Sequence, residues 1–351
     1  MNQASVRFEN VSKAYGTVVA VREVSFEVAA GTLVTLLGPS GCGKTTTLRM
    51  IAGLELATAG RIYIEGQDVT TLPATARDVA MVFQSYALFP HMTVQENVGY
   101  GLSVSGRPKA EIRRRADEAM ATVGLAGYGE RLPAELSGGQ QQRVAVARAI
   151  VLEPQVLLFD EPLSNLDTKL RRRVREELRD LQQRLGITSI YVTHDQEEAL
   201  AVSDRIIVMN QAVIAQAGTP RELYEEPASR FVADFIGDAN LLQAEVTAVD
   251  GQLARVQLGA SSLALPSRGM GRGPATLAIR PHAIRVHDRP ADGANPMEVS
   301  HAIYLGSHVQ YELDGAVGHL FATAPAAERM IPKGDKAWVT FDERSVALVP
   351  A

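Results

Sequence analysis

The densest chemistry in this chain lies in GPSGCGKTT, Gly38 to Thr46. Glycines Gly38, Gly41 and Gly43, with the small Ser40 and Cys42 among them, let main-chain amides turn inward on an anion, and a helix opening at this point adds its positive end. A triphosphate fits such a concavity: Lys44 brings a cation to β and γ oxygens, Thr45 brings a hydroxyl to Mg²⁺, and Thr46 continues into the helix. A second chemical element is QVLLFDEP, Gln155 to Pro162, an apolar run that ends in adjacent carboxylates. Alternation at a strand end is expected to aim them apart, Asp160 towards Mg²⁺ through water and Glu161 towards a water nucleophile as its general base. A third is LSGGQQQR, Leu136 to Arg143, in which Ser137 reads as an N-cap followed by Gly138 and Gly139. It predicts another anion-attracting helix end, this one without a lysine of its own.

Those groups need rigid supports. The run Leu33 to Leu37 directly before the glycine loop is apolar throughout, as a strand buried on both faces would be. Leu48, Ile51 and Ala52 give the inward face of the helix after it. Alternating strands are predicted at Val6 and Phe8 and at Val24, Phe26 and Val28, with short apolar strands at Val156 to Phe159, Ser189 to Val192 and Ile206 to Met209. The last three alternate with helical periods such as Leu166, Leu170, Val174, Leu178, Leu181 and Leu185, which indicates a parallel α/β core. Between about 87 and 152 strand signals vanish, and Ile112, Ala116, Ala119, Met120 and Val123 recur at helical spacing, predicting an inserted helical subdomain. After about 240 the texture changes to short strands, including Ala244 to Val249, Ala254 to Leu258 and Leu277 to Val286. Loops at 266–274 and 288–296 divide them into two small β modules. The expected domains are therefore 1–236 and 240–351, with the boundary near Gly237.

Composition narrows the class. With 46% hydrophobic and 21% charged residues the chain is an ordinary globular mixture, which excludes long disorder. A net charge of −5 argues against a chain-wide nucleic-acid surface. The run KLRRRVREELRD, Lys169 to Asp180, sets its arginines opposite the leucine stripe and interleaves Glu176, Glu177 and Asp180, so it predicts a solvated helix face. No apolar run approaches the ~18 residues of a membrane span. MNQASVRFEN has no apolar core before Arg7 and Glu9, so neither a secretory leader nor an anchor is expected. A single cysteine, Cys42, suits a reducing compartment.

The octet at Leu136 to Arg143 resembles the signature of ATP-binding-cassette ATPases, and the resemblance extends over residues 5 to 235. Tyr15 before Gly16 resembles the aromatic that stacks on adenine, Gln84 the glutamine-loop residue, LSNLD to Asp167 the D-loop, and His194 in VTHD the switch histidine. The resemblance implies an α/β P-loop ATPase cassette with antiparallel β and helical subdomains. It further implies ATP and Mg²⁺ as cofactors, with Gln84 serving metal and catalysis and His194 contacting the γ-phosphate. Two copies would pair head to tail, so that Ser137, Gly138, Gly139 and Gln140 of one close over ATP on the other and Asp167 crosses the interface.

The part after 240 is similar to the paired oligonucleotide-fold-like modules of importer ATPases, a C-terminal all-β OB-like domain expected to serve dimerisation or regulation. In that comparison His282 stands where an acid is usual. Although His282, His287, His301, His308 and His319 fall in this domain, none is at metal-ligand spacing, and no metal sensor is expected. The implied partners are two integral-membrane permease subunits and, indirectly, a solute-binding protein, with no nucleic acid. The implied location is the cytoplasmic face of a bacterial inner membrane. VFQSYALFPHMTVQENV, Val82 to Val98, would border the groove for the permease, with Phe89 and Met92 as the contact candidates. Ferric iron is the preferred cargo, with polyamine, aminoethylphosphonate and sugar as alternatives.

Overall fold

The computed structural model describes residues 6–326 and 330–349. The first five residues, which carry part of the expectation that no leader is present, lie outside the described residues. The chain forms two compact units, Met1–Pro220 and Arg221–Ala351.

In the first unit a six-stranded sheet runs in the order Val213–Gly218, Arg205–Asn210, Leu33–Leu37, Thr188–Thr193, Val156–Asp160 and Val79–Val82. All neighbours are parallel except the edge strand Val213–Gly218. Leu33–Leu37, Thr188–Thr193 and Val156–Asp160 are buried at every position, as strands covered on both faces require. A separate antiparallel sheet orders Val18–Val28, Val6–Tyr15, Ala59–Ile64 and Gln67–Asp68. Helices Val94–Val104, Lys109–Thr122 and Gly138–Ile150 build the helical subdomain around Val98, Leu102, Met120 and Val144.

The helix after the D-loop spans Thr168–Leu185 with Asp167 as its N-cap and Gly186 at φ 58 closing it. Leu166, expected to begin its apolar stripe, therefore precedes it. Its arginines do not all face water as predicted. Arg172 and Arg173 do, pairing with Glu176 and Glu177 one turn on. Arg179 instead bonds Asp204, and Arg171 reaches the carbonyl of Leu166. No helix among the described residues is long and apolar enough to cross a membrane.

The second unit packs two five-stranded antiparallel sheets on one core that includes Val256, Leu277, Val299, Leu313 and Val339. The expected strand from Leu277 to Val286 is two strands, Gly273–Ile279 and Ile284–His287, in different sheets. The 3₁₀ turn Pro281–Ala283 separates them, because Pro281 has no N–H for a ladder and fixes its own φ. Short helices Pro220–Glu225 and Arg230–Phe235 pack with these sheets rather than with the cassette. Arg280 holds them, donating to the carbonyls of Ala233, Ile236 and Tyr224 with its guanidinium 4.1 Å from the Tyr224 ring centroid. The division by packing thus falls after Pro220, ahead of the expected Gly237.

Candidate functional site

Register in the parallel sheet puts Leu37 beside Thr193, Asp160 beside Val192 and Val82 beside Phe159. The segments that follow these four strands, carrying Gly38, His194, Glu161 and Gln84, consequently leave one carboxyl edge together. In open parallel sheets that edge is where ligands bind.

Gly43 has φ 103 and caps the helix Lys44–Ala52, and a Cβ there would meet the Ala20 carbonyl oxygen at 2.4 Å, so no other residue fits. Gly38 is as crowded, its hypothetical Cβ lying 2.2 Å from the Met209 carbonyl oxygen. Ser40 and Gly41 are exposed and Thr45 and Thr46 half-buried. Lys44 is only 6% exposed. Its Nζ donates to the carbonyls of Gly38 at 2.7 Å and Pro39 at 2.9 Å, and no carboxylate pairs with it among the described residues. A buried cation hydrogen-bonded to carbonyls, with no carboxylate in direct contact, inside a glycine loop at a helix N-terminus, fits a polyphosphate anion. Cys42 is 3% exposed, with Sγ 3.8 Å from Lys44 Nζ. The turn folds it into the core with Val21 and Met209.

Thr45 Oγ1 donates to Asp160 Oδ1 at 3.4 Å. Burial raises the Asp160 carboxyl above its ordinary pKa, opposed by the nearby Arg49 charge and the Thr45 hydrogen bond. A hydroxyl and a carboxylate in this setting form a hard-oxygen donor set suited to Mg²⁺, and a cation there would offset the burial.

Glu161 is not separated from Asp160 by strand alternation as expected. The strand ends at Asp160, and Glu161 takes a left-handed φ of 45 while its N–H bonds the Val192 carbonyl at 3.0 Å. This sparsely populated backbone aims its carboxylate across the sheet end, where Oε1 lies 3.2 Å from His194 Nδ1. His194 is 61% exposed at its side chain and free to meet a ligand.

Behind it lies a buried group that sequence reasoning missed. Glu198 accepts from Thr193 Oγ1 at 2.8 Å and Tyr191 Oη at 3.1 Å, and Asp195 caps its helix. Burial lifts the Glu198 carboxyl's pKa, against the Thr193 hydrogen bond. Its four-residue offset from His194 was the available signal.

The signature helix begins as expected. Ser137 Oγ accepts from the Gln140 N–H, and Gln140 Oε1 accepts from the Ser137 N–H, a reciprocal cap. Gly138 and Gly139 permit close packing: Cβ atoms there would lie 3.2 Å from Leu166 and 3.3 Å from Leu170. Among the described residues the side-chain hydrogen bonds of Ser137 and Gln140 are to each other and, from Gln140 Nε2, to Tyr128 Oη at 3.3 Å.

Tyr15 is 46% exposed, with Lys13 Nζ 4.7 Å from its ring centroid. Gln84 is exposed, and its carbonyl accepts from Asn165 Nδ2 at 2.9 Å. Phe89 and Met92 are both half-buried. Phe89 packs on Tyr100 at 4.6 Å between ring centroids, and the exposed large apolar side chains of this stretch are Phe83, Tyr100 and Val104.

In the second unit the histidines disperse. His282 faces Ser345 and Tyr224, His287 faces Thr340, His301 faces Glu312, and His319 faces Asp314. Among the described residues no group of three or more His, Cys, Asp or Glu could hold a metal ion.

Residues 21–164 match the ABC transporter family and residues 277–349 match the TOBE domain. The chain is 60% identical over 345 residues to the Fe(3+) ions import ATP-binding protein FbpC 1 of Rhizobium meliloti, covering 98% of each chain. It is 47% identical over 349 residues to the Fe(3+) ions import ATP-binding protein FbpC of Vibrio cholerae, covering 99% of this chain and 98% of the other. Among solved structures, a dimeric post-hydrolysis ATP-binding cassette bound to ADP and Pi superposes with TM-score 0.55 at 32% identity, over 62% of this chain and 99% of that one. Part of an ABC transporter complex from Clostridium perfringens superposes with TM-score 0.60 at 28% identity, over 64% and 92%. With a phosphate loop, a hydroxyl–carboxylate pair and a signature helix on such a chain, the protein belongs to the ABC transporter family as one of its ATP-binding proteins.

Proposed function

We propose that this ATPase powers an importer of ferric iron, acting as a pair with a second copy of itself beneath two membrane permease subunits supplied by a solute-binding protein. Its place would be the cytoplasmic face of the cell membrane. The carrying observation is the convergence of Lys44, Thr45, Asp160, Glu161 and His194 at one edge of the parallel sheet, with Glu161 Oε1 3.2 Å from His194 Nδ1.

In this reading Tyr15 stacks on adenine, and Lys44 with the amides of Ser40 to Thr46 takes the phosphates. Thr45 and Asp160, with Gln84 from the neighbouring strand end, would hold Mg²⁺, which supplies charge neutralisation on the phosphate oxygens. Glu161 accepts the proton as water forms its bond to the γ phosphorus and the bond to ADP breaks. His194 steadies the γ oxygens.

Ser137, Gly138, Gly139 and Gln140 present a capped helix end whose dipole suits an anion. The likeness to a dimeric ATP-binding cassette supports service to the partner copy's nucleotide, with Asp167 beside the interface. Iron is favoured over polyamine, aminoethylphosphonate or sugar because the relatives at 47 to 60% identity are named for Fe(3+) import.

The test is uptake of radiolabelled ferric iron by cells lacking the gene. Complementation by the unmutated chain and none by Glu161→Gln is the expected outcome. Restored uptake of a polyamine, phosphonate or sugar without iron would overturn the cargo.

A further inference from the structure

The loop after the edge strand Val79–Val82 is built in an unfavourable backbone. Tyr86 and Ala87 are consecutive non-glycine residues in the left-handed region, at φ 61 and φ 48. Each crowds its Cβ against the following carbonyl, so neighbours must hold the pair in place. One side chain faces both carbonyls. Arg148, near the end of the helix Gly138–Ile150, donates from Nη1 to the Ala87 carbonyl and from Nη2 to the Tyr86 carbonyl, both at 2.7 Å. Its guanidinium carbon also lies 5.8 Å from the centroid of the Phe89 ring. Burial draws the guanidinium's pKa down, and no carboxylate pairs with it among the described residues. Tyr86 is itself buried, with no partner for its hydroxyl among the described residues, so packing, the Tyr86 N–H bond to the Phe83 carbonyl at 2.9 Å and Arg148 fix this turn.

We infer that Arg148 is a positioning residue whose two-pronged hold on the Tyr86–Ala87 turn couples the placement of Gln84, whose carbonyl also accepts from Asn165, to the helix that begins at Ser137. Closure of that helix end over a nucleotide would then carry Gln84 to the phosphate edge with it. The inference rests on the roles proposed above for Gln84 and for Ser137 to Gln140.

The test uses the full-length chain and Mg-dependent ATP hydrolysis. Arg148→Ala is expected to lower kcat about tenfold, the scale of one released strained residue, and to leave KM within about twofold because Lys44 and Tyr15 are untouched. Arg148→Lys, which keeps a donor for one carbonyl, should recover to within about threefold of the unmutated chain. Ala87→Gly added to Arg148→Ala should recover about threefold, since glycine adopts the turn without being held, whereas a purely packing role gives no such rescue. In a Gln84→Ala background Arg148→Ala should cost less than about twofold more.

An unaltered kcat in folded Arg148→Ala, failure of both rescues, or losses that multiply with Gln84→Ala would each overturn the inference. Should Arg148→Ala not fold, Arg148→Lys with and without Ala87→Gly carries the same comparison. Unimpaired hydrolysis by Gln84→Ala would instead remove the Gln84 role, a separable result.

Discussion

Glu161→Gln removes one charge and keeps the length of the side chain. The left-handed backbone and the N–H bond to the Val192 carbonyl at 3.0 Å are unaffected, and the new amide oxygen can still accept from His194 Nδ1 at the present 3.2 Å. The Lys44 bonds at 2.7 and 2.9 Å and the Thr45 to Asp160 bond at 3.4 Å involve neither atom that changes. Nucleotide affinity should therefore persist, while the lost proton acceptor costs about 10²–10⁴ in turnover, or about 2.7–5.4 kcal/mol of barrier. With His194 61% exposed, the Glu161 to His194 contact adds less than about 1 kcal/mol to stability, so the melting temperature should barely move. Steady-state hydrolysis read beside ATP titration calorimetry separates binding from chemistry, and a sizing column should show an ATP-bound pair accumulating. A folded variant turning over within about threefold of the unmutated chain would refute Glu161 as the base.

Four further outcomes are expected. Tyr15→Ala should weaken ATP binding by about 1–3 kcal/mol in calorimetry with little change at saturating ATP, and equal affinity would rule out stacking on Tyr15. Gly43→Ala, whose Cβ meets a carbonyl oxygen at 2.4 Å, should lower thermal stability well beyond Gly41→Ala, which meets nothing within 4 Å and bears about 1–2 kcal/mol of backbone strain; the reverse order would disprove the loop geometry.

Because burial raises the Asp160 pKa, the folded chain holds that proton more tightly than the unfolded one, and stability falls as pH rises from about 4 through the raised folded value. Asp160→Asn should accordingly melt higher than the unmutated chain at pH 7 without nucleotide. The gap should close towards pH 4, and a lower melting point at pH 7 would contradict it. Cys42, 3% exposed, should react with maleimide only as the loop opens, slowly and more slowly still with Mg-ATP, as mass spectrometry can follow; rapid labelling would refute its burial.

What could be read in advance was what sits close together along the chain. Gly38 to Thr46 is contiguous, and its turn and helix follow from residue types within a few positions of one another. Leu33–Leu37 shows burial on both faces directly in its composition. Contacts made by carbonyls leave no such mark: Arg148 to Tyr86 and Ala87, and Arg280 to Tyr224, Ala233 and Ile236, pair a side chain with main chain that any residue could supply. The left-handed Glu161 was also hidden, since no glycine marks it and the neighbouring Val192 carbonyl that holds it arrives from another strand. Pro281 did announce the break after Ile279, although the apolar texture on either side favoured one continuous strand.

The Arg280 guanidinium decides where this polypeptide can be severed. A chain ended just after Gly237 takes Tyr224, Ala233 and Ile236 with the amino-terminal piece and leaves a 2% exposed cation facing lost acceptors in the other. Each abandoned donor costs about 1–3 kcal/mol, enough to turn a sound β fragment into an aggregating one. Severing after Pro220 keeps clamp and clamped residues on one fragment, and residues 221–236, which look in sequence like the tail of the cassette, then travel as the collar of the other unit.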